Sequence, residues 1–288
     1  MKKFFVNVFC AFVPSKKMRG KIRSRMLPKP DTRNVERVIN NVWAQKSEME
    51  TWVNRNTEKK LSTAFLHQKT FLKFKGINTG KDIVLIATGP SLKKFIPIKN
   101  AVYIGVNHAF KCDKVKLDYL FAQDYLGLKD CIDLMNEYKG NNCVKFYGLT
   151  TEFDTQWDRV IPESHAIKAN ALRYRTDWEE VSGNFKCRFA YDISVQSLGC
   201  FGSVVFPALQ FALWTNPRRI YIVGCDCNNG GHFDNTKSAD LSYLLKPWAE
   251  FKKFARTYYP ETEIISVNPV GLRGLFTDFE QEKEKHEV

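Results

Sequence analysis

From Lys81 onward the chain alternates short, unbroken apolar runs with polar or amphipathic stretches. The runs are Asp82–Ala87, Ala101–Val106, Leu117–Ala122, the shorter Cys143–Tyr147, Arg219–Gly224 and Glu263–Val267. Each is too short for a stable helix and is set off by polar or turn-forming residues, which predicts buried strands. Between them Val204–Trp214 reads as a helix apolar all round, and Trp248–Tyr259 as an amphipathic one. Wholly apolar strands separated by helices predict a parallel sheet covered on both faces. The expected fold is therefore α/β, a doubly wound Rossmann-like sheet, over residues 78–279.

The pattern changes upstream. Residues 31–77 contain no Gly or Pro between Asp31 and Phe74. Val35, Val38, Ile39, Val42 and Trp43 recur at i, i+3, i+4, i+7, i+8 behind an Asp31-Thr32 N-cap, so a helical lead-in reaching about His67 is expected. Such an arm suits interaction, including self-association into a homo-oligomer. Ahead of it, Met1-Lys2-Lys3 precedes the apolar run Phe4–Val13 in the layout of a signal peptide. The run contains Asn7, meets Pro14 and a second basic cluster, lacks a small-residue cleavage site and is too short to span a bilayer. Residues 1–30 are read as a membrane-associating arm, with rings in the headgroup boundary and Lys16–Lys29 facing anionic lipid. A solvated basic arm, or an apolar strand packed on the domain, are the alternatives. Residues 280–288 form a charged tail expected to fray.

Composition narrows the classes further. The chain has 288 residues, 44% of them hydrophobic and 26% charged, which excludes disordered and collagen-like proteins. The net charge is +13, and nine of the 44 Lys/Arg lie in residues 1–30, which hold no Asp or Glu. The other residues carry 35 basic against 31 acidic side chains, so no basic stripe for nucleic acid is expected on the body. Eight cysteines without a CxxC pair or zinc spacing fit a reducing cytosol, and Cys225 and Cys227 around Asp226 read as small strand-end residues. The expected location is cytoplasmic, peripheral on the inner face of the cell membrane.

In doubly wound sheets ligands bind beyond the carboxyl ends of the strands, where the strand order reverses. That filter selects the residues following the apolar runs. After the first run come Thr88, Gly89, Pro90 and Ser91, where Gly89 permits a close backbone approach, Ser91 can cap a helix, and helix-start amides suit a phosphate. The same residues also make an ordinary capped turn. Asn107 follows the second run, Gln123 and Asp124 the third; Asn and Gln there can read a base or ribose, or serve the turn. Gly202 and Ser203 lead into the apolar helix. Asp226 lies in the polar, Gly-rich loop Cys225–Asp234, whose one histidine, His232, is the candidate general base, or else a surface histidine.

Ile86–Leu92 with its Thr-Gly-Pro-Ser turn, a strand ending in Asn107, Gly202-Ser203-Val204 opening a helix, and Ile220–Asp226 followed by His232 resemble the bacterial sialyltransferases of glycosyltransferase family 42. The order of motifs is also similar to a broader superfamily of motility-accessory-factor glycosyltransferases and 6-hydroxymethylpterin diphosphokinase-like proteins. The resemblance covers roughly residues 80–275. It implies a GT-A-variant fold in which Gly89, Pro90, Ser91, Asn107 and Gln123 hold the CMP part of an activated sugar, and Gly202 and Ser203 touch its phosphate or ribose. His232 would then deprotonate the acceptor hydroxyl, and Tyr243 is the candidate to assist the leaving phosphate. Thr88 stands where those enzymes have Asn, and their Thr-Ser pair before the second glycine turn is missing, which bears on the donor sugar.

The expected function is metal-independent transfer of an acidic, CMP-linked sugar to a glycan acceptor, with the nucleotide sugar as substrate and no cofactor. Asp-x-Asp, a common metal-binding pair, is absent from the chain. One alternative is diphosphate transfer with magnesium held by Asp124 and Asp226. The other is a non-enzymatic nucleic-acid-binding protein using the basic arm.

Overall fold

The computed structural model describes residues 2–27, 33–150, 159–177, 180–181, 184–185, 188–237 and 239–281. The expected N-cap at Asp31-Thr32, Cys187 and tail residues 282–288 lie outside them. The chain divides into two compact units, 1–58 and 59–288.

In the first unit α1 (Lys2–Ala11) and α2 (Lys16–Met26) are joined by a turn at Pro14. Phe4–Val13 is therefore not a strand. Val6 and Cys10, one turn apart, form the buried side of α1, and the Cys10 thiol donates to the Arg19 carbonyl of α2 at 3.8 Å. Helix α3 (Arg33–Phe71) begins in this unit and ends in the second, outrunning its expected end at His67. Nothing in its sequence interrupts it, since Gly and Pro are the residues that break helices.

The second unit anchors the last turns of α3. His67 is fully buried, with Nδ1 2.9 Å from the Ile193 carbonyl, while Nε2 accepts the Arg175 backbone N–H at 2.7 Å. Thr70 Oγ1 donates to the Arg173 carbonyl at 2.8 Å, and Trp214 Nε1 to that of Phe71 at 3.1 Å.

The main sheet contains β1 (Asp82–Ile86), β2 (Val102–Val106), β3 (Tyr119–Ala122), β4 (Val144–Thr150) and β5 (Leu172–Asp177). A small antiparallel pair, β6 (Glu180–Val181) and β7 (Asn184–Phe185), stands apart from it. The main sheet continues with β8 (Leu198–Gly199), β9 (Arg219–Val223), β10 (Glu263–Val267) and β11 (Thr277–Phe279). Its order is β11-β10-β9-β1-β2-β3-β4-β5-β8, and every pairing is parallel. The chain starts in the middle at β1, runs out to β8, then returns to lay β9 on the other side of β1. That reversal makes the sheet doubly wound.

Both faces are covered, which is why the strands are apolar at successive positions. Ile83 and Leu85 of β1, Tyr119 and Phe121 of β3, and Ile220 and Ile222 of β9 face α6 (Val205–Trp214), α7 (Leu245–Tyr258) and the end of α3. Val84, Ile86, Leu120 and Ala122 face the other way. They pack under 3₁₀ turns and the short α4 (Ile132–Glu137) and α5 (Glu163–Lys168). Helix α6 is buried along its whole length, as its uniform apolarity requires. Aromatic rings fill the first face: Phe146 stacks on Phe121 at 4.4 Å and on Phe71 at 5.6 Å, and Phe211 of α6 touches all three.

Three expectations change. The stretch after Gly89 is a 3₁₀ turn, Pro90–Lys94, not a helix. Helix α7 starts three residues before Trp248. The tail does not fray at its first residues: Glu280 meets Arg273 at 2.6 Å, and the Gln281 side chain exchanges hydrogen bonds with both backbone groups of Ile96.

Phe146→Ala removes the ring sandwiched between Phe71 and Phe121 and costs about 3–5 kcal/mol. A urea titration is expected to show a lowered midpoint with an unchanged slope; an unmoved midpoint contradicts this account of the core.

Candidate functional site

The carboxyl ends of β1, β2, β3 and β9 open onto a cleft of about 460 Å³. It lies where the strand order reverses, the place that doubly wound sheets reserve for ligands, and its size suits a nucleotide-sized molecule.

Its floor is the junction of two loops. The β1–β9 pairing runs past the strands: Ala87 N–H donates to Val223 O at 2.8 Å, and Gly89 N–H to Gly224 O at 2.7 Å. A Cβ on Gly89 would stand 2.6 Å from that carbonyl oxygen and 2.7 Å from Asp226 Cγ. The approach of the two loops by itself requires a glycine here. Gly224, at φ +71°, carries the β9 chain through the turn. Asp226 is buried; its Oδ2 accepts the Ser91 N–H at 2.8 Å, and its Oδ1 accepts the Ser91 hydroxyl.

Ser91 and Asp226 are thus joined to each other, with the Ser91 amide and hydroxyl both engaged by the carboxylate, while Asp226 also lines the cleft. The Ser203 amide is also engaged, donating to the Cys200 carbonyl at 2.7 Å. Both members of the Asp124–Asp226 pair of the phosphoryl-transfer alternative line the cleft, and Asp226 already accepts two hydrogen bonds from Ser91.

Thr88, Gly89, Asn107, Gln123, Asp124, Gly202, Ser203 and His232 do line the cleft together. His232 Nδ1 lies 2.8 Å from Thr88 Oγ1, which fixes the ring and leaves Nε2 for chemistry. Its loop is held by His232 N–H to Thr236 O at 2.9 Å and Phe233 N–H to Thr88 O at 2.7 Å. Asn107, at φ +45°, spends its side-chain oxygen on the Gln123 N–H at 3.2 Å, so its own part is mainly to join the ends of β2 and β3. Among the described residues, Gln123 Oε1 and Asp124 Oδ1 are buried acceptors with no hydrogen-bond partner. Acceptors left in that state are costly unless something fills them.

Two expected residues stand elsewhere. Pro90 lines a second cleft, of about 510 Å³, whose wall also includes Lys93, Asn235, Lys237 and His232 itself. Tyr243 is exposed outside the first cleft's lining, its hydroxyl 3.0 Å from where a Gly202 Cβ would be. Burial raises the pKa of that hydroxyl, so it stays protonated as a donor.

No protein-family model matches the chain, and no curated protein matches it.

The structure adds residues that the pattern of the chain did not single out. Arg159 is the only Lys or Arg among the described residues that line the cleft, and its Nη1 lies 3.8 Å from Asp124 Oδ2. His108 packs edge-on to His232, ring centres 6.1 Å apart. Burial first, and Lys111 second, lower the His108 pKa, so this neighbour stays uncharged near neutrality. Burial would raise the Asp234 carboxyl, but hydrogen bonds from Thr236 and from Lys111 prevail and bring it to about 2.

Asp226→Asn is expected to cost about 1–3 kcal/mol, by leaving the Ser91 donors without a full acceptor. A fall in Tm equally large with and without saturating nucleotide identifies the residue as structural; a loss confined to nucleotide binding contradicts that role. Gly89→Ala is expected to fall at least as far, since its methyl meets the Gly224 carbonyl, a backbone group that cannot swing away, and the Asp226 carboxylate held by Ser91.

His108 also makes stability depend on pH. Its folded-state pKa lies below the unfolded value, so the unfolded chain takes up the proton first and stability falls as pH drops through about 6.5. Equilibrium unfolding of His108→Gln at pH 5.5 and pH 8 is expected to show a smaller difference between the two pH values than the parent does; an equal difference refutes this.

Proposed function

We propose that this protein is a glycosyltransferase of GT-A-variant type that moves a CMP-activated acidic sugar onto a hydroxyl of a glycan acceptor. The observation that carries the reading is His232: it belongs to the walls of both clefts and is oriented by Thr88 through Nδ1. A base shared by two substrate-sized spaces suits a reaction that brings a donor and an acceptor to one atom.

The donor occupies the cleft above β1, β2, β3 and β9. Two acceptors without a partner among the described residues, Gln123 Oε1 and Asp124 Oδ1, favour a base that presents N–H groups. Cytosine carries an exocyclic amino donor where uracil carries an oxygen, so CMP fits better than UMP. Arg159 supplies the cation for the phosphate or for an acidic sugar. The acceptor approaches through the second cleft, past Lys93 and Lys237.

In the transfer step Nδ1–H donates to Thr88, and Nε2 takes the proton of the acceptor hydroxyl as its oxygen bonds to the anomeric carbon. The bond from that carbon to the phosphate oxygen breaks, and its electron pair leaves with CMP. Arg159, which lines the same cleft, offsets the charge that develops there. With the Ser91 and Ser203 amides already engaged, this charge stabilisation falls to side chains.

His232→Ala is expected to retain CMP binding while lowering the transfer rate about 10²–10⁴-fold, measured with labelled donor and a saccharide acceptor. Unchanged turnover sinks the assignment. CMP at a hundredfold excess over its Kd is expected to add about 2.7 kcal/mol of apparent stability, seen as a rise in Tm. UMP is expected to add less, and Gln123→Ala to narrow the gap between the two nucleotides; equal shifts refute the base preference. Full transfer activity after chelator treatment is expected, and its abolition favours phosphoryl transfer instead.

A further inference from the structure

We infer that the α1–α2 pair is a docking device for an anionic lipid surface, acting by shallow insertion of one aromatic face and by basic side chains beside it. At about 100° per residue, Phe4, Phe5, Val8 and Phe9 fall on one side of α1, spanning about 140° of its circumference, and Phe12 follows in the turn just beyond the helix. The four phenylalanines are 69%, 64%, 60% and 83% exposed, whereas Val6 and Cys10 on the adjoining side are buried. Helix α1 therefore packs with its smaller apolar residues and leaves its largest ones in solvent. A face chosen only for packing within the chain would be arranged the other way, because burying phenylalanine is worth more than burying cysteine.

The partner's chemistry follows from charge. Helix α2 presents exposed Lys16, Lys17, Lys21, Arg23 and Arg25, with Met18 and Met26 also exposed. No carboxylate occurs in residues 1–30. Large rings on one helix and uncompensated cations on its neighbour match a surface that is apolar at shallow depth and negative at its boundary. Nucleic acid meets the cations but gives a row of phenylalanines no bilayer interior. Neither helix is long and apolar enough to cross a membrane, so the contact is peripheral. This inference is independent of the transfer chemistry.

The test uses the full chain and sedimentation with vesicles of phosphatidylcholine alone or mixed equally with phosphatidylglycerol. The chain is expected to pellet with the mixed vesicles, to leave the neutral ones mostly in solution, and to dissociate at about 1 M salt, where the screening length falls to about 3 Å. Lys21→Gln with Arg23→Gln is expected to weaken partition about 30-fold. Phe9→Ser with Phe12→Ser is expected to weaken it at least tenfold, and Phe9→Leu with Phe12→Leu to restore it. These residues are exposed, so the far-ultraviolet helix signal of each variant should match the parent; a variant that loses it is replaced by Phe4→Ser. Failure to pellet overturns the inference. So does binding that ignores the phenylalanine changes, or tighter, phenylalanine-independent binding to RNA in the same buffer.

Discussion

The cleft depends on a bond between residues 135 positions apart, the buried Asp226 carboxylate accepting both donors of Ser91. In a doubly wound sheet the chain leaves the centre at β1 and returns beside it at β9, and nothing in the local sequence of either strand holds their following loops together. Here they are joined by continued backbone pairing through Ala87 and Gly89 and by this carboxylate. The junction demands the absence of a side chain at Gly89, where any Cβ would collide with the Gly224 carbonyl and with Asp226. A buried carboxylate is costly unless its oxygens are satisfied, and two well-placed donors meet that need. With the floor closed in this way, Thr88 stands where it can reach His232, and one contact organises both the loops and the ring.

The rigidity behind the floor comes from one face of the sheet. Phe71, Phe121, Phe146 and Phe211 form a contiguous aromatic block beneath α6, and Trp214 ties the end of α6 to the end of α3. Against that support the chain tolerates unusual backbone at the strand ends. Asn107 at φ +45°, Asp124 at φ +68°, Phe201 at φ +49° and Cys227 at φ +49° all lie beside the cleft in the left-handed region. Asn and Asp enter it readily, whereas a phenylalanine does so only when packing holds it. Phe201 is buried against Phe189 and Phe206, and its conformation brings Gly202 to the cleft rim. Strain of this kind collects where a loop must serve a ligand rather than its own preference.

The strands of the sheet were legible to the extent that they were apolar at successive positions. β1, β2, β3, β9 and β10 read directly from their runs. β5 did not, because Arg173 and Arg175 interrupt it; the structure shows their guanidinium groups engaged by the Ile161 carbonyl and the Ser62 hydroxyl. β8 and β11 are too short to carry a pattern. In the site, the rule that ligands gather beyond strand ends selected Thr88, Gln123, Asp226 and His232, which the fold brings to one cleft. It also selected Ser91, but it had no signal for the Ser91–Asp226 bond, since residues of one chemistry at two strand ends look alike whether they face a ligand or each other. Arg159 carried no local signal, because its position at the cleft is set by the fold and not by its neighbours in sequence.

The charge of the chain separates two tasks that a single basic surface would confuse. The body is close to balanced, and among its described residues only Arg159 brings a permanent cation to the cleft wall, already beside Asp124. An anionic ligand there must be recognised at short range by placed groups, since a small net surplus of charge steers weakly at physiological ionic strength. The concentrated charge lies instead in residues 1–30, on helices whose exposed faces are aromatic as well as basic. Concentrated charge and placed polar groups thus belong to different stretches of the chain, so changing residues 1–30 leaves the lining of the cleft intact and changing His232 leaves the charge of the arm intact.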